Sequence, residues 1–180
     1  MSRTTLATAY ENGELEGEYE FRNSWGFAPF VWDALCRKYE IGANEHGEWP
    51  NRYGPTMDDW MNLWKFVDDA KITPWEHNVL MSTYDDMVVL RDDMLTLAKS
   101  MRRFEDAFSN GKKACSLAEQ AAAIEDAHGK GARFIAWNTT SVNEPWWSRY
   151  DEALDEMVYY NVDKGTKHKT APILPLDPAV

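Results

Sequence analysis

The sequence predicts a mainly α-helical chain: a single compact domain of five or six helices around a long central helix at residues 73–108, with at most a small β element near residues 132–138. Three observations carry this expectation. The first is periodicity. Val79, Leu80, Tyr84, Met87, Val88, Met94, Leu95, Ala98, Met101, Phe104 and Phe108 recur at the three-and-four spacing of one helix face. Unbroken, such a helix would be about 54 Å long at roughly 1.5 Å per residue. The second is a repeated start signal, a Thr or Ser followed three residues later by an acid: Thr56 and Asp59, Thr73 and Glu76, Ser116 and Glu119. The third is bulk. At 180 residues, 44% hydrophobic and 13% aromatic, one core is enough to bury roughly 70% of the unfolded surface.

In chain order, residues 1–24 read as extended and irregular, and the alternation in LEGEYEF allows a short edge strand with its glutamates in water. A helix is expected from about residue 27 to 40, with Phe30, Val31, Leu35 and Tyr39 inward and Gly42 closing it. Three glycines and two prolines make residues 41–55 a loop. Residues 57–71 form the next helix, with an inward stripe of Met57, Trp60, Met61, Trp64 and Val67, widened by Leu63 and Phe66. Ile72 to Pro74 turns the chain, because a residue before proline avoids helical backbone.

In the central stretch Pro74 suits a first helical turn, and Thr83 with Asp86 offers a second start. A kink or break near Ser82 and Thr83 follows, since both hydroxyls compete for backbone hydrogen bonds. Beyond Asn110 and Gly111, residues 116–129 read as a short alanine-rich helix stopped by Gly129. Phe134 to Trp137 is the best strand candidate, residues 139–145 are loop, and Pro145 opens a last helix with Trp147, Tyr150, Leu154, Met157 and Val158 inward. The helical domain spans residues 1–163. Residues 164–180 form an extended tail, basic at Lys164, Lys167, His168 and Lys169 and proline-rich in PILPLDP. It lies as a strap across the acidic half or docks on a neighbouring copy.

The net charge of −11 is unevenly placed: residues 1–98 hold 18 acids against 8 bases, residues 99–180 hold 12 against 11. An acidic half disfavours direct nucleic-acid or anionic-membrane contact and favours a protein partner with a basic surface. No run of 18 apolar residues occurs and no signal peptide is visible, so the expected location is the cytoplasm. Cys36 and Cys115 fit no metal or redox spacing and read as free thiols.

Aspartate doublets at Asp58 and Asp59, Asp68 and Asp69, Asp85 and Asp86, and Asp92 and Asp93 are the main charged feature. The last two doublets are seven residues apart, so one helix face would carry a file of carboxylates able to imitate phosphates. An ordinary solvated face with capping acids explains the same pattern, Asp59 and Asp86 above all. Of nine tryptophans, Trp32, Trp60, Trp64, Trp75 and Trp137 fall on apolar stripes. Trp25, Trp49, Trp146 and Trp147 fall in loops or at a helix start, where aromatics anchor interfaces. The candidate partner-binding residues are therefore Asp58, Asp59, Asp85, Asp86, Asp92, Asp93, Trp146 and Trp147.

Glu125 and His128 stand one helical turn apart, as in carboxylate-bridged metal sites, but the second such pair is missing, so neither metal nor cofactor is expected. There is no HExxH, no glycine-rich phosphate loop and no nucleophile elbow. In its acidic, tryptophan-rich, compact style the chain resembles small uncharacterised proteins carried by bacteriophages and prophages. That resemblance carries no motif and no functional residue, and implies action in the cytoplasm of an infected bacterium. The expected function is a non-enzymatic protein that engages a basic surface of a host protein, as an inhibitor of a defence or nucleic-acid-handling factor. The alternatives are a self-assembling component using the tail, or a small ligand-binding protein or enzyme with a pocket near Trp137 to Trp147.

Overall fold

A computed structural model describes residues 3–11, 15–22, 28–49, 54–68, 72–83, 87–109, 117–139, 148–159 and 172–176. Among the described residues there are five helices: α1 (Ala28–Lys38), α2 (Met57–Asp68), α3 (Pro74–Ser82), α4 (Arg91–Phe108) and α5 (Leu117–Gly129). Six strands accompany them: β1 (Arg3–Ala9), β2 (Leu15–Arg22), β3 (Val88–Leu90), β4 (Phe134–Thr139), β5 (Ser148–Asp151) and β6 (Glu156–Tyr159). Helix remains the larger share, and no described helix is long and apolar enough to cross a membrane.

The stretch 73–108 is not one helix. α3 ends at Ser82, where the Ser82 and Thr83 hydroxyls donate back to the carbonyls of Val79 and Leu80 at 2.7 and 2.6 Å. This is the local competition expected of those residues. The indole N–H of Trp32 then donates to Thr83 Oγ1 at 2.9 Å, holding the helix end against α1. Val88 to Leu90 pair with β4 and not with a helix, so the chain passes through a strand before α4 starts. β-branched Val88 and Val89 favour that outcome, because an edge beside β4 buries both.

The sheet is larger than the small element expected. Four strands run in the order β2-β1-β4-β3, every neighbouring pair antiparallel. β4 covers the expected 132–138 segment, and β2 the LEGEYEF alternation. Leu6, Val89, Ile135 and Trp137 join the main core with the helices, whereas Ala7, Ala9, Val88, Phe134 and Ala136 form a second buried cluster. That division follows the period-two alternation of β1, β3 and β4. α4 is the most connected helix, packing on α3, α5, β3 and β4, with Met94, Leu97, Ala98, Met101 and Phe104 buried along one face.

The helix expected from Pro145 is replaced, in its described part, by the β5–β6 hairpin, Ser148 opposite Tyr159 and Asp151 opposite Glu156. The loop explains this. Asp151 Oδ1 accepts the Ala153 N–H at 3.0 Å, Asp155 takes a left-handed φ of 54°, and the Tyr150 hydroxyl donates to Asp155. Aspartate tolerates both roles at a turn, and the tyrosines and Val158 suit a strand.

Helix ends also depart from expectation. α5 is closed at Gly131, whose φ is 92°, with the Ala132 N–H reaching the Ala127 carbonyl at 3.0 Å; Gly129 is still helical. At its other end Glu105 of α4 accepts the Ala118 N–H, while the expected cap Ser116 lies outside the described residues.

Candidate interaction site

α2 is where the residues depart most from their expected placing. Leu63 is fully buried. Trp60 packs at a tilt against Trp32 of α1, 5.2 Å between ring centroids, and donates its indole N–H to Asp33 Oδ1 at 2.9 Å. Phe66 lies 4.9 Å from Tyr39. These contacts turn the aromatic side of α2 onto α1 and leave the opposite arc in water. Met57 and Met61, expected inward, are 64% and 62% exposed. They stand one turn apart, so they present a continuous apolar ridge. Asp58 is exposed beside them, and Trp64 is half-buried at its margin.

The acid of the first turn next to Asp58 is already used. Asp59 Oδ2 accepts the Thr56 N–H at 2.7 Å and the Thr56 hydroxyl at 2.9 Å, the acid's half of the cap expected of this pair. Nearby Cys36 is buried and free, its thiol pushed up to about 12 by burial and by the carboxylates of Asp59 and Asp33. Such a thiol stays protonated and unreactive at neutral pH.

The other predicted acids separate. Asp92 is exposed and Asp93 half-buried, both in the first turn of α4, where they complement the helix dipole. Asp85, Asp86, Trp146 and Trp147 lie outside the described residues, as do Trp25 and Cys115. The premise that Asp85, Asp86, Asp92 and Asp93 share one helix face does not hold, because α3 ends at Ser82 and β3 precedes Asp92. Trp49 is half-buried, its N–H on the Ile41 carbonyl at 3.1 Å and the Arg37 guanidinium over its ring at 5.2 Å.

Glu125 is drawn into an ion pair. Arg102 donates to it through Nε at 3.2 Å and through its terminal nitrogen at 2.6 Å, a two-pronged bridge between α4 and α5. His128 is half-buried in the last turn of α5. Among the described residues no group of three or more His, Cys, Asp or Glu is placed to hold a metal ion.

Two polar sites that the sequence did not announce sit in α3. The Glu76 side chain is fully buried and its carboxylate accepts four bonds: Lys38 Nζ at 2.7 Å, the Tyr39 hydroxyl at 2.7 Å, and the N–H and hydroxyl of Thr73 at 3.0 and 2.6 Å. Burial alone would raise its pKa. The bonds from Lys38, Thr73 and Tyr39 outweigh it and hold the carboxyl below the ordinary glutamate range. The Thr73 to Glu76 pairing was legible as a helix start, but the partners from α1 were not. Asn78, also fully buried, gives an N–H to Ser100 Oγ at 3.1 Å and another to the Leu174 carbonyl at 2.9 Å, and accepts the Leu174 N–H at 2.7 Å. Ile173 and Leu176 pack on the main core. Residues 172–176 thus lie against α3 of their own chain, the strap arrangement expected as one of two fates for the tail.

Comparison with protein-family models, with curated proteins and with solved structures finds no match to this chain.

Proposed function

We propose that this chain is a non-enzymatic binding protein whose acidic half engages a basic surface of a partner protein, with α2 as the contact helix. The observation that carries the reading is the Met57 and Met61 ridge, more than 60% exposed beside Asp58 on a helix whose aromatic side packs on α1. Exposed apolar side chains in a contiguous row favour association, and methionine adapts its shape to a partner without strain. The surrounding charge supplies the selectivity: 18 acids against 8 bases in residues 1–98 attract a basic surface and repel nucleic acid and anionic lipid. α1, which packs on both α2 and α3, is the element that keeps this face in place.

The resemblance in style to bacteriophage proteins makes a host protein in the bacterial cytoplasm, a defence or nucleic-acid-handling factor, the first class of partner to test. A phosphate-like file of carboxylates is no part of this reading, because β3 separates the doublets it needs. The test is affinity capture from bacterial lysate at low and high salt, with the wild-type chain and a Met57→Ser, Met61→Ser chain as parallel baits. A basic partner held by the wild type, weakened by salt and lost with the double variant while its melting curve is unchanged, supports the proposal. The same partner held equally by both baits sinks it.

A further inference from the structure

Asn78 treats Leu174 as one strand residue treats another. Its carboxamide both gives a hydrogen bond to the Leu174 carbonyl and takes one from the Leu174 N–H, at 2.9 and 2.7 Å. That two-way exchange is the unit of an antiparallel ladder, supplied here by a side chain. It reads main chain and is indifferent to the side chain at 174, which points away and is 38% exposed. Selectivity comes from the flanks: Ile173 and Leu176 set three residues apart against the core, with Pro172 and Pro175 exposed and restricting the backbone to extended forms.

Two further features distinguish this from ordinary core packing. None of residues 172–176 is buried, so the segment rests on the surface as a ligand does. Asn78, in contrast, is fully buried, and without an occupant it would lose both bonds to the Leu174 main chain and keep those to Ser100 and to the neighbouring His77 side chain. A buried carboxamide left with unmet donors and acceptors is costly, so the site favours being filled.

We propose that the face of α3 and α4 around Asn78 is a recognition site for an extended, proline-bounded apolar peptide of a partner protein, and that residues 172–176 are a tethered ligand filling it in cis. A partner segment with two apolar anchors three residues apart displaces the chain's own segment. Lys164, Lys167, His168 and Lys169 precede the tethered ligand, and the chain's acidic half suits a similarly basic flank on the incoming peptide. This site is separate from the α2 ridge, so either can fail alone.

The experiment uses the full 15N-labelled chain and an unlabelled synthetic peptide of residues 164–180, with a second peptide carrying N-methyl-leucine at position 174 as control. Hydrogen exchange at the Leu174 amide is the readout. It is expected to be slow in the chain alone and to speed at least tenfold with excess peptide, while the N-methylated peptide, lacking the N–H that Asn78 accepts, has no effect. Tethering sets an effective concentration on the order of millimolar, so the peptide must be in that range. A full-length Ile173→Asp, Leu176→Asp chain, whose own segment cannot seat, is expected to bind the peptide at least tenfold more tightly than the wild type. Addition of Asn78→Leu is expected to abolish that binding. Free-peptide exchange at Leu174 in the untreated chain overturns the proposal, as does excess peptide that changes nothing in the wild type. Concentration-dependent dimers dissolved by the peptide overturn the partner assignment by making a second copy the occupant.

Discussion

α2 and α3 are neighbours in the chain and break the inside-out rule in opposite directions. α2 leaves two methionines in water; α3 takes a glutamate and an asparagine into the core. The difference lies in what each helix must satisfy. Among its described side chains α2 buries Leu63 alone, and its aromatic side is locked to α1, so Met57 and Met61 are left in water. α3 is buried on most of its circumference, so any polar residue in it must find partners, and Glu76 and Asn78 find them on α1, on α4, at the helix cap and on residues 172–176. A buried polar group specifies its partners; an exposed apolar one invites them.

Removing the buried charge in the first turn of α3 should give the largest effect. Glu76→Ala leaves Lys38, Tyr39 and Thr73 without their shared acceptor and is expected to cost about 3 kcal/mol in urea denaturation. Cutting the second polar contact of the same helix should cost less. Asn78→Leu is expected to lose about 2 kcal/mol, with Leu174 amide exchange accelerated and exchange in α4 unchanged.

Acid sharpens the contrast without mutation. The folded Glu76 carboxyl is held below its unfolded value, so its contribution is complete above the ordinary glutamate range of about 4.3 and is lost as pH falls through the lowered value. The wild type should lose stability in that window, and Glu76→Gln should show a shallower fall across it. The smallest effect belongs to α2. Met57→Ser with Met61→Ser is expected to change stability by no more than about 0.5 kcal/mol, because both side chains are already largely in water. A loss above about 1.5 kcal/mol would mean that the ridge supports the fold and is not a free contact face.

How far the sequence reached follows the same division. Local signals were readable: the Thr56 and Asp59 cap, the Thr73 and Glu76 start, the break at Ser82 and Thr83, and the strand at Phe134 to Trp137. Each depends on residues within four positions of one another. What was not readable came from distant pairing. Met87 and Val88 fit a helical stripe until β4 claims Val88 to Leu90, and the Ser148 to Tyr159 segment fits a helix until its two halves pair. The α2 stripe carried a warning: seven apolar residues in a twelve-residue helix exceed what one face can bury. Asn78 carried none, since a lone asparagine before VLM looks the same whether or not a peptide meets it.

The order of strands in the sheet has a consequence for how the chain is made. β1 pairs on one side with β2, which follows it directly in the chain, and on the other with β4, which ends at Thr139. During translation at roughly 5–20 residues per second, that second side waits on the order of ten seconds for its partner. In the interval β1 offers an open ladder of N–H and C=O groups, flanked by Leu6 and Ala7, to any strand nearby. Closure of the sheet is therefore a late, long-range step, and a nascent chain halted before Phe134 emerges is the form of this protein most exposed to misassembly and most dependent on chaperones.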